Sequence, residues 1–118
     1  MFVRTTLISV LLVCLGVTAQ AEFAKVENQA DFIALIKNKL LKRPFVELSV
    51  TPDGRIEGTG ARWDVTGSWT WENGFFCRDL FWGGDELGYN CQEVRAHNNR
   101  MRFTSDQGQG QSAVFRIE

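Results

Sequence analysis

Between Trp63 and Glu72 the chain alternates without a break, with Trp63, Val65, Gly67, Trp69 and Trp71 set against Asp64, Thr66, Ser68, Thr70 and Glu72. Successive side chains of a strand point to opposite faces, so this segment is a half-buried strand. Asn73-Gly74 follows at once. A type I′ turn needs positive φ at both central residues, and Asn-Gly meets that need with little strain. The strand therefore returns as a hairpin through Phe75 to Trp82. A chain that commits its centre to such a hairpin must build the rest of its fold around antiparallel pairing.

The flanking segments agree. Phe45, Val46, Leu48 and Val50 make a strand ended by Pro52-Asp53-Gly54, and Ile56 lies in another that stops near Gly58 to Gly60. Tyr89 to Ala96, Arg100 to Thr104 and Ala113 to Ile117 follow, with the Gln/Gly-rich Ser105 to Gln111 as a loop. Before them, Asn28 is a helix cap with Asp31 three residues on. Phe32, Ile33, Leu35, Ile36 and Leu40 recur at helical spacing, and Lys37, Lys39, Lys42 and Arg43 crowd the last turns before Pro44 stops the helix. The expected fold is α+β, mostly β. An N-terminal amphipathic helix packs on or caps a six- to seven-stranded antiparallel β-meander, a small barrel or a strongly curved sheet.

The first residues read as an address. Arg4 precedes the apolar run Leu7 to Val17, and Ala19-Gln20-Ala21 offers an Ala-x-Ala cleavage site. Residues 1–21 are expected to be a cleaved signal peptide, and 22–118 a single domain with no linker or repeat. A lipoprotein reading competes through Leu11-Leu12-Val13-Cys14, although Val13 is large where such sites take a small residue. The expected compartment is periplasmic or extracellular, with no stable membrane anchor after cleavage. Charges of both signs are scattered over a chain of net charge −1, which argues against a nucleic-acid partner.

Export leaves two cysteines, Cys77 and Cys91, which in an oxidising compartment read as one disulfide rather than two buried thiols. A turn at Asn73-Gly74 pairs Trp71 with Phe76, Trp69 with Arg78, Gly67 with Leu80 and Val65 with Trp82. A disulfide needs both cysteines on one face, with Cα atoms about 5–6 Å apart. Cys77 thus opposes Cys91 and the next turn centres on Gly84, because a slip of one residue would part the sulfurs. One face then carries Trp63, Val65, Trp69, Trp71, Phe76, Leu80, Trp82 and Val94, with Arg78, Asn90 and Gln92 among them. This face, with all four tryptophans, is expected to point inward. The other carries Asp64 to Glu72, Phe75, Cys77, Asp79, Phe81, Tyr89 and Cys91.

Gly83-Gly84-Asp85-Glu86 spells the active-site turn of diguanylate cyclases. That fold needs a far longer α/β chain and a separate acidic metal site, so the glycines are read as positive-φ turn residues. Asp85 and Glu86 are candidate calcium ligands but more simply a wet hairpin tip, and His97 is read as a solvated residue of the turn His97-Asn98-Asn99. Arg78 is the odd member of the inner face. It either stacks on rings and pairs structurally, or reads an anion in a pocket walled by Trp69, Trp71 and Trp82, with Asn90 and Gln92 at the polar end.

Seven stretches share a further property: Glu22 to Val26, Thr51 to Ile56, Val65 to Trp69, Phe76 to Leu80, Trp82 to Gly88, Asn90 to Gln92 and Arg102 to Asp106. Together they resemble a family of short exported bacterial proteins often labelled dihydrodipicolinate reductase. The resemblance implies an NAD(P)H-dependent reductase of lysine biosynthesis. The residues themselves contain no Gly-x-Gly-x-x-Gly between strand and helix and no βαβ repeat, so they assign no cofactor and no catalytic residue. Read from the residues, the function is a periplasmic binding module holding a small anionic or amphipathic ligand in its tryptophan-rich interior. The alternative is a protein-binding module, such as an inhibitor of an envelope protease or lysozyme, that works through Gly83 to Gly88.

Mass spectrometry of protein recovered from its host should give a chain beginning at Glu22. Retention of Met1 on cytoplasmic protein would remove both the export reading and the redox argument for the disulfide.

Overall fold

The structure is a computed structural model that describes residues 22–118, and the expected signal peptide lies outside them. Its elements are β1 (Ala24–Lys25), α1 (Gln29–Ile36), β2 (Leu41–Arg43), β3 (Val46–Val50), β4 (Arg55–Gly60) and β5 (Trp63–Glu72). They continue as β6 (Phe75–Trp82), β7 (Asp85–His97), β8 (Arg100–Thr104) and β9 (Ser112–Ile117), with a 3₁₀ turn at Asp106–Gly108. All pairings are antiparallel. The sheet runs β1-β7-β6-β5-β4-β3-β2-β9-β8, and β8 pairs again with β7, so β2 to β9 close into an eight-stranded barrel with β1 as an extra strand. Closure leaves the barrel without the unpaired edges of an open sheet.

Both hairpin registers follow from turn chemistry and the disulfide. Asn73 and Gly74 have φ of 52° and 83°, and Trp71, Trp69, Gly67 and Val65 face Phe76, Arg78, Leu80 and Trp82. Cys77 faces Cys91 across β6 and β7, and the two are bonded, with Cα atoms 3.9 Å apart. One detail differs. The register shifts between Leu80 and Phe81, so Leu80 faces Gly88 but Phe81 faces Glu86, leaving Leu87 as the bulged residue. The turn is therefore Gly83-Gly84, with φ of 57° and 87°, rather than one centred on Gly84 alone.

Several expectations are corrected. The domain does not begin with its helix, because β1 precedes it and pairs with Arg95 and Ala96 of β7. The helix is also shorter than expected. Asn28 caps it by accepting from the Asp31 N–H at 2.9 Å, but Lys37 turns extended (ψ 124°) and Asn38 enters the left-handed region (φ 58°). Leu40 then exchanges backbone hydrogen bonds with Glu118, and Leu41–Arg43 is a strand between β3 and β9. The strand count accordingly rises from six or seven to nine. Phe45, read as strand, sits in the β2–β3 turn with φ 64°, and His97 is the last residue of β7.

Successive turns of a meander alternate between the two ends of a barrel. The turns at Pro52-Asp53, Asn73-Gly74 and Asn98-Asn99 share one end, and α1 closes that end. Phe32 and Ile36 are fully buried there, and the Phe32 ring lies within 5.2 Å of the Trp69, Trp71 and Phe76 rings. Val50, Ile56, Val94 and Met101 complete this part of the core. The turns at Pro44-Phe45, Ala61-Arg62 and Gly83-Gly84 share the opposite end. Gly58 and Gly67 lie on the inner face, where an added Cβ would stand 2.0 Å from the Glu47 carbonyl oxygen and 2.2 Å from that of Asp79. No side chain fits at either place, and the bare backbone lets the strands bend around the barrel.

Cys77–Cys91 closes a loop with a sequence separation of 14. A loop of about 15 residues corresponds to about 3 kcal/mol of chain-entropy stabilisation. Urea melts with and without reductant should differ by roughly that amount, whereas coincident midpoints would show that the bridge contributes nothing to stability.

Candidate functional site

The end opposite α1 is open. A cavity of about 440 Å³ enters it, walled by the inner-face side chains of Leu48, Val65, Leu80 and Phe115. Val46, Trp82, Leu87 and the Pro44-Phe45 turn form its rim, and Arg43 is the single charged side chain on the lining. Each wall residue is placed by strand alternation. Val65 precedes inner-facing Trp69 by four residues in β5, and Leu80 precedes Trp82 by two in β6.

The rim is held by hydrogen bonds between neighbouring turns. The Ala61 N–H donates to the Phe45 carbonyl at 2.6 Å and the Gly83 N–H to that of Asp64 at 2.8 Å. Trp82 Nε1 donates to the Gly60 carbonyl at 2.9 Å, an approach so close that a Cβ at Gly60 would stand 3.1 Å from Nε1. Trp63 packs edge-on against Trp82 with ring centres 5.2 Å apart. Phe45 is 85% exposed on the lip and takes a positive φ that a bulky side chain rarely adopts. Such strain persists only where the surroundings impose it, and it concentrates at functional positions.

The six residues expected to form one pocket are divided among four places. Trp69 and Trp71 face the closed end and pack on Phe32, and Trp69 Nε1 donates to the Thr51 carbonyl at 2.9 Å. Asn90 and Gln92 hold the β8–β9 loop. Asn90 donates to the Asp106 carboxylate at 2.7 Å and accepts from the Asp106 N–H at 2.9 Å, while Gln92 donates to Ser105 Oγ at 3.1 Å. Trp82 alone of the six lines the cavity. The tryptophan-rich face is likewise inward only in part, since Trp63 is 50% and Trp82 38% exposed at the mouth.

Arg78 is half-buried between these regions. Its Nη1 donates to the Gly88 carbonyl at 2.7 Å, and among the described residues it makes no ion pair, Glu93 being taken by Arg95. Burial pushes its guanidinium below the ordinary arginine value, partly offset by the adjacent Asp79. One grouping resembles a metal-ligand set, Glu72 with Cys77 and Cys91, but its two sulfurs are bonded to each other and neither is a thiolate donor.

The residues that sequence reasoning missed are Arg43 and Phe45, whereas Leu87 lies within Gly83 to Gly88, the segment expected to contact a protein. Arg43 carried the appearance of a helix-terminal cation, and Phe45 that of the first residue of a strand. The available signal was Pro44-Phe45 between two short apolar-alternating segments, a two-residue turn with proline leading.

Arg78→Met removes a half-desolvated cation and one hydrogen bond to a carbonyl, effects of opposite sign. Stability by urea melt should therefore change by less than about 1 kcal/mol, whereas a loss of about 3 kcal/mol would mark Arg78 as the partner of a buried carboxylate. Comparison with protein-family models, curated proteins and solved structures gives no match for this chain, so the geometry of the barrel mouth is what bears on its function.

Proposed function

We propose that this chain is a small-molecule binding module of the periplasm, and that it takes the apolar part of an amphipathic ligand into the open end of its barrel. The cavity carries this reading. Ligand sites are concave, mostly apolar and usually preformed, with few polar groups to orient the ligand. An apolar recess of about 440 Å³ with one charge on its lining, whose rim is pinned by cross-turn hydrogen bonds, has those properties. The disulfide fits an oxidising compartment, and no described helix is long and apolar enough to cross a membrane.

The reading differs from the sequence expectation in where the ligand sits. Trp69, Trp71, Asn90 and Gln92 already have partners within the protein, which moves the proposed site to Trp82 and the rim.

A second reading has its own observation. Leu87 is 53% exposed on the bulge after the Gly83-Gly84 turn and lines the same mouth as the exposed Phe45. Exposed apolar side chains on a fixed hairpin suit a protein contact of the inhibitor type. An envelope hydrolase inhibited by the wild-type chain but not by Leu87→Asp would favour it. The reductase activity implied by the family resemblance would need a pyrophosphate site. The N-terminus of α1 is poorly suited to that role, because Asn28 occupies it and Asp31 adds a negative charge.

An apolar fluorophore should bind one-to-one and quench Trp82. Val46→Trp, which fills the cavity from its rim, should weaken binding at least about tenfold, the scale on which loss of a preformed apolar site is felt. Thr70→Trp, on the outer face, should leave it unchanged. Equal binding by both variants would exclude the mouth as the site.

A further inference from the structure

The charge on the mouth narrows the ligand class. We infer that the cavity selects an amphiphile with an ionised carboxylate head, held by the Arg43 guanidinium at the rim, with the alkyl tail directed between Leu48 and Leu80. The inference rests on the small-molecule reading of the mouth and goes further by assigning the head group and the residue that reads it.

Three observations support it. Arg43 is the single charged side chain lining the apolar cavity, and it also lines the adjoining polar groove, so it stands where the two meet. It is also free, whereas its basic neighbours are not. Lys42 Nζ lies 3.1 Å from one Glu118 oxygen and 3.9 Å from Glu47, and Arg116 lies 3.4 Å from the other Glu118 oxygen. Among the described residues Arg43 makes no ion pair. Finally, it is placed. Arg43 opposes Val46 across the Pro44-Phe45 turn, and its guanidinium carbon lies 5.7 Å from the centre of the Phe115 ring. A guanidinium on an aromatic face keeps its in-plane N–H donors available for a carboxylate.

The physical consequence is a division of the ligand at the rim. The tail gains from leaving water, in proportion to the apolar area covered. The head stays hydrated beside an exposed cation, so no charge has to be buried. Arg78 does not compete for the head, because it is absent from the lining and already donates to the Gly88 carbonyl. A cationic head would meet repulsion at Arg43, and a neutral hydroxyl would gain only an ordinary hydrogen bond.

The test is displacement of the bound fluorophore from the purified protein by decanoate, decanol and decyltrimethylammonium, each below its aggregation limit. Decanoate should bind about fivefold tighter than decanol, as suits one charge-assisted contact at an exposed site, and the ammonium should bind weakest. Arg43→Gln should abolish the preference and Arg43→Lys should keep most of it. Decanol binding as tightly as decanoate to the wild type, or an unchanged preference in Arg43→Gln, would overturn the head-group assignment and leave the cavity reading standing. Failure of all three to displace the fluorophore would overturn both.

Discussion

The ring of Phe32 is fully buried and meets four aromatic rings drawn from three strands: Trp69 and Trp71 of β5, Phe76 of β6 and Phe103 of β8. One helical side chain thereby ties together strands that lie on different sides of the barrel. Each such aromatic contact adds about 0.5–1.5 kcal/mol beyond the area it buries. A helix as short as α1 would not persist in water without this anchor. Because the plug is supplied from within the chain, one end of the barrel is a packed core and only the other can be an opening.

Closure imposes a second constraint. Eight strands enclose an interior just wide enough for side chains to fill or for one small ligand to occupy. Which of the two occurs at a given level depends on the side chains directed inward there. At the helix end these are Trp69, Phe76, Val94 and Met101, and the interior is solid. Toward the mouth the inward side chains are Leu48, Val65, Leu80 and Phe115, and among the described residues no second α-helix covers that end. The cavity thus lies at the end of the barrel that α1 does not close.

The parts of this fold that were legible in the sequence are those governed by local rules. Asn73-Gly74 dictates its own register, and the requirement that Cys77 and Cys91 share a face carries that register across to β7 as far as the bulge. Leu41–Arg43 was not legible. Three residues are too few to show alternation, and the lysines and arginine around them suit a helix terminus equally well. Closure was not legible either, since it joins β2 to β9 through a pairing between distant segments that no local turn announces. The division of the tryptophans into core and rim depends on that closure. Strand parity predicts which face Trp63 and Trp82 occupy, but their height along the barrel decides whether that face is covered.

The same limit explains why polar residues on the inner face were poor guides to the site. A polar group inside a barrel must find a partner, and the partner can come from a ligand or from the protein itself. Parity places Asn90, Gln92 and Arg78 inside but says nothing about the β8–β9 loop, whose Ser105 and Asp106 satisfy the first two, or about the Gly88 carbonyl that receives the third. Those groups are therefore spent on the fold. Arg43 was overlooked because it looked like an ordinary surface charge, and by exposure it is one. Its distinction lies in position: it borders an apolar recess, rests against an aromatic ring and lacks the carboxylate partners that its basic neighbours have. In a barrel of this size the group left without an internal partner at the open end, rather than the most buried polar group, carries the capacity to recognise something else.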